Sequence, residues 1–363
     1  KMRYNVIIFD YLICLSFKII QTILSDRGID EDLGRFLHPT EDDMLPLDAL
    51  KNIDKAFDII NKGIEDGKHF VVHYDQDADG HTSGAIMTRY LQAAGADVSI
   101  LYREGKAHGL DGMELNLTKN DILIVVDSLN NNYEVYDRAL EQCQDVVILD
   151  HHVPSKELLK YKGKFVLVSS AVNYDNPDLS GAGVCLKMCL YLDYMNLTDY
   201  ADDLWWLAAI GIVGDMCSMA SPENRYIVSR GLAQYDNPIV KKMIGNYMFD
   251  TQAISFSVAP LINGAIRTYN NDLSIQMFTT DDTEEINGLY NKLKECKEQQ
   301  NQIVNALMDD INEQINAQLN NKFMVFLIDD VGADIAGLLG NKILSIVQRP
   351  LVVIHDRGDK FSG

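Results

Sequence analysis

The sequence has few cysteines and a shortage of basic residues. Its six cysteines are at positions 14, 143, 185, 189, 217 and 296. They form no C-x-x-C pair and are too sparse for a disulfide scaffold, so a reduced, cytoplasmic setting is the simplest interpretation. Lysine and arginine number 32 against 53 acidic residues, which gives a net charge of −21. This acidity excludes a protein that binds nucleic acid over most of its surface, although it permits a local basic channel.

The sequence also lacks an uninterrupted apolar run of the length that crosses a membrane. The run from Tyr4 to Leu24 raises the question, but Asp10 and Lys18 interrupt it and no small-residue cleavage site follows. We interpret it as a buried helix or a strand-helix pair, and we predict no membrane association. A length of 363 residues allows roughly two domains, each with its own core.

Short apolar segments alternate with helical ones through the first two thirds of the chain. The predicted strands are residues 70–73, 98–102, 122–126, 146–149 and 165–168. Such alternation is typical of an α/β fold with a parallel sheet that helices cover on both faces. Further along, a long polar helix precedes two more strands. We predict a lead-in over 1–50, a main domain over 51–280, a connecting helix over 281–321 and a smaller α/β domain over 322–363.

Acidic and imidazole side chains follow the ends of several predicted strands. The first of these strands ends in a loop with His73, Asp75, Asp77 and Asp79. Closely spaced carboxylates repel one another in a low dielectric, and shared divalent cations relieve that repulsion. A metal site is therefore the leading interpretation of this loop, and a solvated acidic turn is the alternative.

Three further positions have the same construction. Asp127 follows one strand, Asp150-His151-His152 ends another, and Asp215 follows an apolar helix. The ends of parallel strands meet at one edge of a sheet, so we expect these groups to converge. Oxygen and imidazole ligands without cysteine suit Mn²⁺ or Mg²⁺, and histidine favours Mn²⁺. Two ions about 3.5 to 4 Å apart, bridged by Asp127, would bind the attacking and leaving oxygens of a phosphodiester.

Five neighbouring residues have structural interpretations. Thr82 and Ser83 are the expected caps of the helix after the acidic loop. His81 is expected at the surface. Trp205 and Trp206 lie in an apolar helix and are expected in the core.

The metal motifs resemble those of the DHH phosphoesterase superfamily. They read His73-x-x-x-Asp77-x-Asp79-Gly80, Asp127, Asp150-His151-His152 and Gly214-Asp215. Within the superfamily the chain is similar to the RecJ branch of single-strand-specific 5′→3′ DNA exonucleases. Stretches outside the metal motifs extend that similarity, and they are residues 36–39, 180–184, 223–225, 259–263 with Arg267, and 337–350. The resemblance spans roughly residues 30–360.

The resemblance implies a parallel-sheet DHH domain that a long helix joins to a smaller DHH-associated α/β domain. It implies one Mn²⁺ held by His73, Asp77 and Asp127. A second ion would be held by Asp79, Asp127, His151 and Asp215, with Mg²⁺ as the alternative metal. His152 would face the scissile phosphate, and Asp75 would act as a ligand or support one. In this family the smaller domain usually continues into a glycine- and arginine-containing phosphate-binding motif. Because this sequence ends at Ser362-Gly363, we expect an incomplete 5′-end pocket.

Five residues are candidate substrate contacts, namely Arg103, His108, Arg225, Asn263 and Arg267. The first two follow a strand, and the last three occupy RecJ-like positions near the DNA path. Arginine binds phosphate bidentately. The alternative is that Arg103 and His108 are solvated loop side chains.

The resulting hypothesis is a metal-dependent exonuclease that digests single-stranded DNA from the 5′ end in replication, recombination or repair. Single-strand-binding or replication proteins are its candidate partners, since no appended single-strand grip is present in the sequence. One alternative is a phosphodiesterase of short oligonucleotides or cyclic dinucleotides. Another is a catalytically inactive replisome scaffold, against which the intact metal motifs argue.

Overall fold

The computed structural model describes residues 17–29, 33–103, 108–328, 335–356 and 361–362.

The N-terminal apolar run lies only partly within the described residues. Residues 17–26 form helix α1, and residues 1–16 lie outside the described part. Phe17 and Ile19 are about half exposed, whereas Leu24 is buried. The expectation of a buried helix is therefore wrong for this part of the run, because most of its apolar side chains face solvent. Among the described residues, no helix combines the length and the apolarity that a bilayer crossing needs.

Five parallel strands form the central sheet in the order β2-β1-β3-β4-β5. They are β1 His69–Tyr74, β2 Asp97–Leu101, β3 Asp121–Val126, β4 Asp145–Asp150 and β5 Val166–Ser169. Each predicted strand is present, with bounds that differ by one residue. The strand order reverses between β1 and β3, and the carboxyl edge of an α/β sheet at such a point is a common ligand site.

Helices connect the strands and cover the sheet. They are α2 Leu33–Leu37, α3 Ile53–Glu65, α4 Ala78–Ala93, α5 Glu134–Gln142, α6 Lys156–Lys160, α7 Gly181–Asn196, α8 Trp205–Gly214, α9 Pro222–Leu232, α10 Pro238–Ile244, α11 Thr251–Ala253, α12 Ala259–Arg267 and α13 Leu273–Thr279. Short 3₁₀ turns occur at Glu41–Asp43, Leu47–Ala49 and Tyr200–Asp203, and a π-helical segment at Ile254–Val258 joins α11 to α12.

Alternate side chains of each strand enter two separate cores. Phe70 and Val72 of β1 pack into the larger core with α4, α7 and α8, while Val71 packs into the smaller core with α5 and α6. This period of two is the geometry of a strand that is buried on both faces. Trp205 and Trp206 belong to the larger core, as predicted.

A second, smaller sheet follows the long helix α14, Thr283–Ala317. Its strands are β6 Met324–Ile328, β7 Leu351–Asp356 and β8 Phe361–Ser362, with helix α15 Ala336–Val347 between the first two. β6 and β7 are parallel, and β8 is antiparallel to β7. The later turns of α14 pack against this sheet and α15. The α/β fold class is confirmed, and the division into domains at residues 50, 280 and 321 stays a prediction.

Two local expectations around the acidic loop are wrong. His81 is fully buried, and its Nδ1 makes a hydrogen bond with the hydroxyl of Ser274, so it is not a surface residue. Helix α4 begins at Ala78 with Asp77 as its N-cap. Thr82 and Ser83 therefore lie inside the helix, because the carboxylate of Asp77 reaches the free backbone N–H groups first.

Candidate metal centre

The candidate site lies at the carboxyl edge of the sheet, beside the reversal of strand order. β3 ends at the residue before Asp127, β4 ends with Asp150, and α8 ends at the residue before Asp215. β1 ends just before the acidic loop. The parallel strands therefore bring the acidic loop, Asp127 and Asp150 to one edge, and the end of α8 adds Asp215.

The start of α4 holds two carboxylates of the loop. Asp77 Oδ1 accepts a hydrogen bond from the N–H of Gly80 at 2.9 Å. Asp79 accepts hydrogen bonds from the N–H groups of Gly181 at 2.7 Å and Ala182 at 3.0 Å, at the first turn of α7. The N-terminus of a helix favours negative charge, so α7 fixes the position of the Asp79 carboxylate.

Asp127 is the most constrained residue of the site. Its backbone is left-handed, with φ 51°, and its side chain is fully buried. Oδ1 accepts no hydrogen bond of good geometry, although His151 Nε2 lies 3.1 Å away. A Cβ on Gly181 would lie 2.7 Å from Asp127 Oδ1, so a side chain there would displace the carboxylate. A buried carboxylate oxygen without a donor is costly, and a cation would satisfy it.

His151 Nε2 is the central atom of the cluster. Besides Asp127 Oδ1, it lies 3.8 Å from Asp79 Oδ2 and 3.8 Å from Asp215 Oδ2. Two overlapping groups of side chains could each hold an ion, since the ligand atoms within each group lie within 4.8 Å of one another. One group is Asp79, His151 and Asp215, and the other is Asp127, His151 and His152. Such spacing suits side chains that share a divalent cation.

The pKa values of the carboxylates are consistent with a cation at this place. Burial, with the charge of Asp79 added, raises the pKa of Asp77 to about 6. Burial also raises the pKa of Asp79, where His151 opposes the effect and Asp215 adds to it. The pKa of Asp127 is raised well above its ordinary value by burial and then by neighbouring carboxylates. Repulsion between these carboxylates disfavours the state in which all of them are ionised, and a bound divalent cation stabilises that state. The donor set fits Mn²⁺ or Mg²⁺.

His73 lies at the end of β1 in a buried position. Its Nδ1 is 3.0 Å from the carbonyl oxygen of Leu101, and its Nε2 is 3.3 Å from Ser128 Oγ. Burial lowers the pKa of His73 to about 4, so the ring is neutral at neutral pH, which is the form that binds metals. Neither His73 nor Asp77 belongs to the two sets above, and their assignment to a separate ion stays a prediction.

Asp150 has a role in this site that sequence reasoning missed. Its Oδ1 accepts the backbone N–H of His152 at 2.7 Å and lies 2.9 Å from His152 Nδ1, while Oδ2 accepts the N–H of Leu129 at 2.7 Å. The hydrogen bond that His152 donates to Asp150 raises the pKa of His152 to about 9, so the ring is cationic at neutral pH. A signal was available, since Asp150 is an acid at a buried strand end directly before two histidines.

His108 and Asp75 form a wall of the site next to His152. His108 Nδ1 lies 3.0 Å from Asp75 Oδ2, and its Nε2 lies 3.0 Å from the carbonyl oxygen of Leu129. Burial acts to raise the pKa of Asp75, but the hydrogen bond and charge of His108 outweigh it and lower that pKa. The rings of His108 and His152 are 5.0 Å apart. Both nitrogens of His108 are thus engaged within the protein.

Two of the predicted substrate arginines are bound to backbone carbonyls. Arg103 donates to the carbonyl oxygens of Gly109 at 3.5 Å and of Asp111. Arg225 is buried and donates to the carbonyl oxygen of Met219 at 2.8 Å. It also donates to Ala220 at 3.0 Å, and its guanidinium lies 4.3 Å from the ring centroid of Phe36. These contacts order the surrounding loops, and contact with substrate stays a prediction.

Asn263 and Arg267 lie one helical turn apart on α12. Both are half-buried, and Arg267 forms no ion pair with any described residue. Burial lowers the pKa of Arg267. A half-buried guanidinium that no carboxylate neutralises favours binding of an anion such as phosphate. These two residues therefore remain candidate substrate contacts.

Comparison with known sequences identifies relatives of the chain. A sequence model of the DHH family, N-terminal domain, matches residues 69–212. An SPbeta prophage-derived protein of Bacillus subtilis, provisionally named single-strand DNA-specific exonuclease YorK, is 26% identical over 95% of this chain and 64% of its own length. The single-stranded-DNA-specific exonuclease RecJ of Thermus thermophilus is 28% identical over 86% of this chain and 47% of its own length. The chain thus spans about half to two thirds of these relatives.

Solved structures agree with the sequence relatives. RecJ from Thermus thermophilus in complex with Mn²⁺ has a TM-score of 0.74 at 25% identity, over 86% of this chain and 47% of that chain. An exonuclease RecJ bound to manganese has a TM-score of 0.73 at 26% identity, over 86% of this chain and 82% of that chain. These likenesses confirm the mixed α/β fold with its parallel sheet and the resemblance found in the motifs.

Proposed function

We propose that this chain, which resembles the DHH family and is similar to RecJ, is a metal-dependent phosphodiesterase that digests single-stranded DNA from the 5′ end. The observation that carries the proposal is the buried Asp127 carboxylate, whose Oδ1 lacks a hydrogen bond and lies 3.1 Å from His151 Nε2. Two further acidic oxygens, from Asp79 and Asp215, lie 3.8 Å from the same nitrogen. Clustered charge of this kind is costly to keep unless cations use it.

We assign two divalent cations to the site. The ligands of one ion are His73, Asp77 and Asp127, and those of the other are Asp79, Asp127, His151 and Asp215. Mn²⁺ is the preferred ion because histidines take part, and Mg²⁺ is the alternative. When bound, such cations polarise the phosphodiester and activate the water that attacks it.

The protein's own groups position and neutralise the substrate. The first turn of α7 fixes the Asp79 carboxylate through two backbone N–H groups. His152 is held through Nδ1 by Asp150, which leaves its Nε2 to donate a hydrogen bond to a phosphate oxygen. A cationic donor held in place before the reaction stabilises the extra charge of the transition state. The resemblance of the motifs to the RecJ branch supports the 5′ direction. The named relatives, which are called single-strand-specific exonucleases, support the choice of single-stranded DNA.

The test is digestion of a single-stranded DNA that carries a label at one end or the other, with Mn²⁺ or Mg²⁺ added. The parent protein should release the 5′ label first. Asp127→Asn keeps the side-chain shape and removes the charge, so turnover should fall by at least about 10²-fold. Asp309→Asn is a matched control, because Asp309 is exposed on α14 and its side chain has no hydrogen-bond partner among the described residues.

Near-parental turnover by Asp127→Asn, with the protein folded by circular dichroism, would show that the cluster is not the active site. Release of the 3′ label first would contradict the direction. A cyclic or linear dinucleotide belongs in the same experiment, because the net charge of −21 is unusual for a protein that binds a polyanion. Cleavage of the dinucleotide alone would move the function to small substrates.

The wider role follows from the substrate. An exonuclease of this type would act in DNA replication, recombination or repair in the cytoplasm. Single-strand-binding or replication proteins would be its partners, since they present the same form of DNA.

A further inference from the structure

A group of aromatic and basic residues lies outside the metal centre, where α10, the π-helical segment and α14 meet. It surrounds a pocket of about 500 Å³. The residues that matter here are Tyr247, Phe256, Pro260, Tyr290, Lys294 and Lys297. We name this region the lysine-aromatic pocket. Of these residues only Pro260, within the RecJ-like stretch 259–263, belongs to a motif found in the sequence.

The aromatic side chains of the lysine-aromatic pocket are unusually exposed. Phe256 is 80% exposed and Tyr247 is 77% exposed. Phe256 belongs to the π-helical segment, a rare conformation that occurs often at functional sites. The ring of Tyr290 carries Lys242 Nζ at 5.2 Å and Lys294 Nζ at 5.9 Å from its centroid. Aromatic rings are therefore exposed to solvent beside lysine ammonium groups. Surfaces that bind single-stranded nucleic acid combine the same two kinds of group.

The two lysines of the pocket, and Lys242 beside it, have no carboxylate partner among the described residues. Lys242, Lys294 and Lys297 form no ion pair with any described residue, in a chain whose net charge is −21. Glu298 is the acidic residue among those lining the pocket. Burial, with the charge of Arg267 added, lowers the pKa of Lys297. An unbalanced cluster of this kind favours an anionic ligand.

Helix α12 runs from the pocket to the segment that contacts the residues after β2. Pro260, in its first turn, lines the pocket, and Arg267 is its last residue, about 10 Å further along the axis. Gly264 lets α12 approach α14, since a Cβ there would lie 3.0 Å from Lys297 Cα. Beyond α12, Asn271 Nδ2 donates to the carbonyl oxygen of Arg103 at 3.1 Å. Through that contact the segment after α12 lies against the residues that follow β2, at the same edge of the sheet as the metal centre.

We infer that the lysine-aromatic pocket is a second binding site for the DNA strand, several nucleotides from the bond that is cut. Bases stack on Phe256 and Tyr247, while Lys242, Lys294 and Lys297 contact phosphates. Stacking on aromatic rings does not depend on sequence, which suits a nuclease that digests any strand. The inference depends on the proposed function, and it adds a length preference to it.

The test compares a strand of about 4 nucleotides with one of about 20 nucleotides, in binding and in cleavage. Phe256→Ala, Tyr247→Ala and Lys294→Ala are the variants. Tyr194→Ala and Lys156→Ala are the matched controls, since Tyr194 is 69% exposed on α7 and Lys156 is exposed on α6. Each pocket variant should weaken binding of the long strand about tenfold and leave kcat on the short strand unchanged. Lys294→Ala should also reduce the salt dependence of long-strand binding by about 0.7 in the log-log slope.

The outcomes separate the two proposals. If the parent protein cleaves the long strand and the pocket variants bind it as the controls do, the pocket is not a strand site and the exonuclease proposal stands. If the parent neither binds nor cleaves single-stranded DNA, the proposed function is wrong and the inference is wrong with it. Equal losses on both strand lengths would place the residues in the catalytic site or in the fold, and would overturn the inference.

Discussion

The Oδ1 atom of Asp150 lies 2.9 Å from Nδ1 of His152 and also accepts that residue's backbone N–H at 2.7 Å. Asp150 is fully buried, so it is held more firmly than the partly exposed ring that it contacts. The ring is thus fixed both in orientation and in charge. If His152 acts on phosphate, Asp150 acts through it as a positioning residue.

We expect Asp150→Asn and His152→Ala each to lower kcat on single-stranded DNA by about 10²-fold to 10⁴-fold. The double variant should lose little more than either single one, because residues that act as a unit are not additive. Steady-state cleavage rates of the four proteins test this. Additive losses would mean that Asp150 contributes to the site or to the fold independently of His152.

Gly181 is predicted to be necessary for metal binding. A Cβ at this position would lie 2.7 Å from Asp127 Oδ1, and the N–H of the same residue holds Asp79. Gly181→Ala should weaken Mn²⁺ binding by about 10-fold to 100-fold, measured by calorimetry. Gly288→Ala is the matched control, since nothing lies within 4 Å of a Cβ there, within helix α14. The control should bind Mn²⁺ normally and be more stable by about 0.5 to 1 kcal/mol.

The raised pKa of Asp127 leads to a prediction on thermal stability. A buried carboxyl group whose pKa is raised destabilises the folded state when it is forced to ionise at neutral pH. Without metal, Asp127→Asn should therefore melt at a higher temperature than the parent at pH 7. Added Mn²⁺ should raise the Tm of the parent by more than that of the variant, because the variant lacks the charge that both ions share. A parent Tm that does not respond to any divalent cation would contradict the metal assignment.

The sequence predicted the sheet well because a parallel strand that is buried on both faces is a continuous apolar run. Ile122 to Val126 is one such run. Its end shows from the sequence alone that Asp127 lies at the end of a strand. Convergence of the strand ends then follows from the rule that parallel strands share an edge. The positions of Asp127 and Asp150 could therefore be predicted from local patterns, whereas Asp215 follows helix α8 and this rule does not place it.

Other features depend on which residues become neighbours, and the sequence does not show that. His81 is polar and directly follows the acidic stretch, but α13 covers it, and Ser274 supplies its hydrogen-bond partner from 193 residues away. Asp77 caps α4 in competition with Thr82 and Ser83, and the result depends on where the backbone turns. The lysine-aromatic pocket combines α10 with α14, which are separated by about 40 residues of chain.

The last prediction concerns acid stability in the N-terminal lead-in. Asp43 Oδ1 accepts hydrogen bonds from Arg35 Nε at 2.8 Å and Nη2 at 2.6 Å, and Oδ2 accepts the N–H of Thr40 at 2.8 Å. Burial acts to raise the pKa of Asp43, but these hydrogen bonds and the charge of Arg35 lower it below 3.8. A carboxyl group with a depressed pKa stabilises the fold above its unfolded pKa, and the stabilisation is lost as the pH falls through the folded pKa.

Asp43→Asn should therefore reduce the free energy of unfolding at pH 7 by about 1 kcal/mol, a value kept small because Arg35 is more than half exposed to solvent. The difference between variant and parent should shrink as the pH is lowered through 4 toward 2, where the parent carboxyl group is also protonated. Urea unfolding at a series of pH values measures this difference. Asp42→Asn is the control, since Asp42 is the exposed neighbour in the same 3₁₀ turn. A constant difference across the pH range would mean that the loss comes from packing and not from the charge.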